Sequence, residues 1–77
     1  MTITWKVTQS AGVNHFRVVT ALGTGFKIVR QNGEWSVEKY NVSLPVIERW
    51  QTWDTIGRVS ELQAKIACGL IIEKSSK

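Results

Sequence analysis

From Thr2 to Thr8 the chain alternates, placing Ile3, Trp5 and Val7 on one face and Thr4, Lys6 and Thr8 on the other. A period of two predicts a half-buried strand. The pattern returns three times. Phe16 and Val18 oppose His15, Arg17 and Val19; Phe26 and Ile28 oppose Lys27 and Val29; Trp35 and Val37 oppose Ser36 and Glu38. Between the last two runs stands Asn32-Gly33, the dipeptide that best tolerates the two positive φ angles of a type I′ hairpin turn. That turn pairs Gln31 with Glu34, Arg30 with Trp35, Ile28 with Val37 and Lys27 with Glu38. The same parity argument, with Ser10 to Val13 as a loop, pairs Trp5 with Val18, Lys6 with Arg17 and Val7 with Phe16. A loop of Leu22-Gly23-Thr24 pairs Thr20 with Phe26 and Val18 with Ile28. Together these registers gather the aromatics on one face.

Beyond Thr55 the period changes. Ile56, Val59, Leu62, Ile66 and Leu70, with Ala67 and Ile71 beside them, form one stripe at helical spacing. Asp54 or Thr55 is a possible N-cap, and Ser60 with Gln63 supplies a capping box for a later start, which Gly57 favours. Leu70-Ile71-Ile72 fits either the helix end or a short strand, with helix preferred. Tyr40 to Trp53 is ambiguous: Ser43-Leu44-Pro45 opens a short helix carrying Val46, Ile47 and Trp50 on one face, or the segment is an extended loop. The fold expected is therefore α+β, a four-stranded antiparallel meander packed on one face by a C-terminal helix. In it Trp5 is core, and at least one of Trp50 and Trp53 is partly exposed.

Composition narrows the class. The chain has 77 residues, 43% hydrophobic and 21% charged, which excludes a disordered segment and leaves no material for a second core. Residues 1–77 make a single domain. The lone Cys68 has no disulfide partner, and it falls opposite the helical stripe, on a small second contact surface or exposed. The N-terminus lacks a basic segment followed by an apolar one, and no apolar run approaches membrane length, so a cytoplasmic location is expected.

Catalysis needs groups activated by close partners. His15 falls on the outward sheet face and Cys68 on the helix, and the six acids are scattered, so no acid–base pair, nucleophile or metal-ligand spacing emerges. Gly23-Thr24-Gly25 lies in a hairpin and lacks the helix N-terminus of a phosphate site. No enzyme activity, cofactor, metal or small-molecule substrate is expected. What remains is surface. With a net charge of +4, the outward face carries Lys6, Arg17, Lys27 and His15 around Thr4, Thr8, Val19, Val29, Ser36 and Glu38. It carries no aromatic, which disfavours base stacking and leaves phosphate contact with duplex DNA. Arg49, Trp50 and Trp53 supply a second cluster of contact anchors.

The order of a Trp-bearing hairpin, then Trp53-Asp54-Thr55, then an amphipathic helix resembles small accessory proteins of phages and prophages, over about residues 26 to 72. That class includes anti-CRISPR and other host-takeover inhibitors. The resemblance implies a stoichiometric inhibitor in a bacterial host cell that blocks a protein or ribonucleoprotein complex acting on nucleic acid. The order of elements is also similar to that of three-stranded-sheet-plus-helix DNA-binding modules such as integrase arm-binding domains. From those it departs by an extra strand and the insertion Tyr40 to Trp50. Partner contact is thus expected through Lys6, His15, Arg17, Lys27, Arg49, Trp50 and Trp53, with direct duplex binding as the alternative and no membrane partner.

Overall fold

The structure, a computed structural model, describes residues 2–12 and 16–75. Five antiparallel strands follow one another as a meander in the order β1-β2-β3-β4-β5. They are β1 (Trp5–Ala11), β2 (Phe16–Ala21), β3 (Phe26–Gln31), β4 (Glu34–Tyr40) and β5 (Trp50–Gly57), and α1 (Glu61–Ser75) closes the chain. No helix among the described residues is long and apolar enough to cross a membrane.

The Asn32-Gly33 hairpin forms as the sequence predicts. Both turn residues have positive φ, 52° and 80°, and β3 pairs with β4 in the expected register, Ile28 opposite Val37 and Lys27 opposite Glu38. Arg30 lies 5.4 Å from the Trp35 ring centroid across the ladder.

The other two registers differ from expectation, and β2 turns over as a result. The β2–β3 loop is one residue longer than expected, so Ala21 pairs with Phe26 and Val19 with Ile28. Thr24 holds it, donating from N and Oγ1 to the Ala21 carbonyl (3.2 and 2.7 Å) while Oγ1 accepts from Phe26 N (3.1 Å). Gly23 and Gly25 both take φ of 77°, where a side chain would be strained. A slip of one residue exchanges the faces of a strand. Arg17, Val19 and Ala21 therefore face α1, while Phe16, Val18 and Thr20 face away. Trp5 pairs with Ala21, Lys6 with Thr20 and Val7 with Val19, and a bulge between Val7 and Gln9 shifts the rest of β1. Val18 and Val29, opposite one another on the far face, are nonetheless buried.

The fifth strand replaces the ambiguous connector and the early helix start. Its residues suit a strand, being rich in Trp, Thr and Ile. Two irregularities in pairing with β4 disguise its period. Trp35 pairs with Gly57 and Ser36 with Thr55, skipping Ile56; Val37 pairs with Asp54 and Glu38 with Thr52, skipping Trp53. Of the two readings of the segment after Ser43-Leu44-Pro45, a short helix or an extended loop, the helix is reduced to a single 3₁₀ turn at Val46–Glu48. It buries nothing, and Trp50 belongs to β5.

The later cap is the one used. Ser60 N donates to Gln63 Oε1 and Gln63 N to Ser60 Oγ, both at 3.2 Å, a reciprocal capping box. The helix continues through Leu70-Ile71-Ile72. Its buried face is Ala64, Cys68 and Ile72, which join Val19, Ala21, Phe26, Ile28, Trp35 and Val37 in the core. Leu62, Ile66 and Leu70, expected in the core, are 68%, 58% and 56% exposed. Trp5 packs against the core while remaining partly exposed, with the Lys65 ammonium 5.9 Å from its ring.

Candidate interaction surfaces

The described residues expected in the basic outward face and in the second cluster of contact anchors are redistributed between the two faces of the sheet. Lys6 is exposed on the face away from α1, in the edge strand β1. Arg17 lies on the opposite face, where β2 brings it to the first turn of α1. Its Nε and Nη2 donate to the Glu61 carboxylate, which also pairs with Lys65 at 3.3 Å. The Arg17 hydrogen bond holds the Glu61 carboxyl below its ordinary pKa, against a smaller opposing effect of burial. Arg17 is thus committed within the fold. His15 lies outside the described residues.

Lys27 does face outward, but its charge is shared. Its Nζ lies 3.7 Å from a Glu38 carboxylate oxygen and 4.1 Å from the Trp50 ring centroid. Trp50 in turn meets Tyr40 edge-on, with centroids 5.1 Å apart and planes at 61°. Arg49 ends the row. Its Nη1 donates to the Tyr40 hydroxyl at 3.2 Å and its Nε to the Leu44 carbonyl at 3.0 Å. The outward face therefore carries Phe16, Tyr40 and Trp50, contrary to the expectation that it has no aromatic. Two features hide them in the sequence: the turned-over β2 moves Phe16, and β5, whose period is broken, sets Trp50 beside Tyr40.

Trp53 stands apart from Trp50, on the other face of the sheet. The bulge in β5 directs it toward Phe26, which it meets at 6.4 Å and 79°, and it is 54% exposed. The Lys39 ammonium lies 4.5 Å from its ring centroid. The two tryptophans do not form one patch. Beside Trp53, a cleft of about 340 Å³ opens between the end of β4 and β5.

No family model, no curated protein and no solved structure matches this chain. Its surfaces must be read on their own geometry.

The surface feature least evident from the sequence is on α1. Leu62, Ile66 and Leu70 stand at i, i+4 and i+8 on the side of the helix turned from the sheet. Their spacing is plain in the chain, but it points to a core stripe, and the structure places them outside. Cys68 undergoes the opposite correction, being fully buried beneath the helix rather than exposed on a second contact surface. Burial pushes its thiol up to about 11 from an ordinary 9.0. A raised folded pKa makes the proton more tightly held in the native state, so stability present below pH 9 should be lost as pH rises toward 11. The loss is roughly 2–3 kcal/mol. Urea melts across that range for the native chain and Cys68→Ala should diverge in this way. Parallel curves would show that the thiol does not titrate with folding.

Proposed function

We propose that this chain acts by binding without turnover, as an inhibitor that occupies a protein surface of a nucleic-acid-processing complex in a bacterial host. The single observation that carries protein contact is the exposed row of Leu62, Ile66 and Leu70. A chain of this size has few large aliphatic side chains to spare from its core, and contiguous exposed apolar surface marks an interaction site. An apolar helix face is also a recurrent element of protein recognition, read through anchors one turn apart. The inhibitor class and the host complex come from the resemblance to phage accessory proteins.

On this reading the docking face lies on α1. Arg17 and Lys27 contribute less than free cations would, since each already has a carboxylate partner. The test is affinity capture from a nuclease-treated bacterial lysate with the native chain, Ile66→Glu and Lys6→Ala. A protein complex should survive nuclease, be lost with Ile66→Glu at unchanged melting temperature, and be retained by Lys6→Ala. Capture that nuclease abolishes, or that Ile66→Glu leaves intact, would refute it.

One observation favours a second reading, direct binding of nucleic acid. Phe16, Tyr40 and Trp50 share the outward face with Lys6 and Lys27, a combination suited to single strands, where bases stack on aromatic rings and cations follow the backbone. Binding of that kind would weaken steeply with salt and fall roughly tenfold or more with Trp50→Ala.

A further inference from the structure

We infer that the cleft between the end of β4 and β5 is a binding site for a planar aromatic ring bearing an anionic group. Its volume of about 340 Å³ falls within the range of small-molecule sites. Lys39, Asn41, Gln51 and Trp53 are among the residues lining it. The site stands independently of the α1 face and of the inhibitor reading.

Three features define what the cleft would hold. The first is a flat apolar wall. Trp53 is the residue that β5 inserts between the pairs Val37–Asp54 and Glu38–Thr52, and it is 54% exposed there. Bulges commonly re-aim a side chain toward a functional position. An indole buries a large area once a ring lies against it.

The second feature is charge. The Lys39 ammonium stands at 4.5 Å from the Trp53 centroid and 5.7 Å from that of Phe26, and it forms no ion pair among the described residues. No carboxylate is among the described residues that line the cleft. A cation held over aromatic rings with no ion-pair partner among the described residues presents an attractive field to an anion.

The third is the donor set. Asn41 Oδ1 already accepts from Ser43 N at 3.0 Å, so the amide nitrogen is the end of that carboxamide left to a ligand. Gln51 lies opposite Lys39 in the β4–β5 register and adds a second carboxamide. A neutral ring would leave Lys39 unused, and an inorganic anion would leave the indole uncovered. A ring joined to a phosphate or carboxylate uses both.

The experiment is a titration followed by the indole N–H resonance of Trp53, assigned by its loss in Trp53→Phe. Adenosine monophosphate and indole-3-acetate serve as the phosphate-bearing and carboxylate-bearing probes. Adenosine and inorganic phosphate serve as the ring and anion alone. At least one ring-bearing anion should saturate the shift with Kd below about 1 mM. Adenosine and phosphate should each bind roughly tenfold or more weakly, and Lys39→Gln should weaken the ring-bearing anion to a similar degree. Lys6→Gln should leave that affinity within about twofold, because a remote cation acts only through the screened general field. Absence of a saturable shift with both, or affinity that Lys39→Gln does not alter in a folded variant, would overturn the assignment.

Discussion

Replacing Trp35 by Ala is expected to cost about 3–5 kcal/mol, a large share of the stability of a domain this small. Trp35 is 1% exposed and is the largest of the fully buried side chains. It sits in β4 within the cluster formed by Ile28, Val37, Ala64 and Cys68, under the helix rather than at a sheet edge. Its Nε1 has no hydrogen-bond partner among the described residues, so the ring contributes through packing. Trp35→Phe should accordingly retain much of what Trp35→Ala loses. The strand pattern of β1 points to Trp5 as a core residue as well. It packs against the same cluster but keeps partial exposure, and Trp5→Ala should cost less. Trp53→Ala should cost least. Urea melts followed by circular dichroism would give the order, and a Trp5→Ala loss equal to or above that of Trp35→Ala would contradict a core centred on Trp35.

The parts of the fold legible in the chain are those in which a local signal stands alone. Asn32-Gly33 specifies both loop length and turn geometry, so the β3–β4 register follows without further information. The β2–β3 turn has no such uniqueness. Leu22 to Gly25 admits a three- or four-residue loop, and the outcome depends on Thr24 closing onto the Ala21 carbonyl. That one residue decides whether Arg17 meets solvent or Glu61, and with it the composition of the outward face. The β5 strand is hidden for a related reason. Two extra residues, Trp53 and Ile56, interrupt an alternation that would otherwise announce it. Both effects carry through to the candidate site. Lys6 and Lys27 lie on the outward face as expected, Trp50 and Arg49 join it rather than forming a separate cluster with Trp53, and Arg17 and Trp53 are on the other side. Lys39 carries no sequence signal, because its importance comes only from the bulge that sets Trp53 beside it.

The phase of α1 gives the sharpest contrast between pattern and packing, and the second large effect. Ile72→Ala should cost about 2–4 kcal/mol, whereas Ile66→Ala should change stability by less than about 0.5 kcal/mol. Ile72 is 4% exposed against the sheet and Ile66 is 58% exposed on the far side, where alanine's higher helix propensity offsets the little apolar contact removed. In the sequence the larger aliphatics stand out as the apolar stripe, because bulk and regular spacing are what a periodic pattern displays. Packing selects differently here. The sheet presents Phe26 and Trp35 to the helix, and their bulk fills the interlayer space, so the facing positions go to Ala64 and Cys68. Ala64→Leu should therefore destabilise by about 1–3 kcal/mol although it adds apolar surface, since the added volume would force the layers apart. Leu62→Ala, on the opposite face, should be nearly neutral. A large loss for Ile66→Ala with tolerance of Ala64→Leu would rotate the helix by half a turn, returning Leu62, Ile66 and Leu70 to the core and removing the surface on which the protein-contact reading stands.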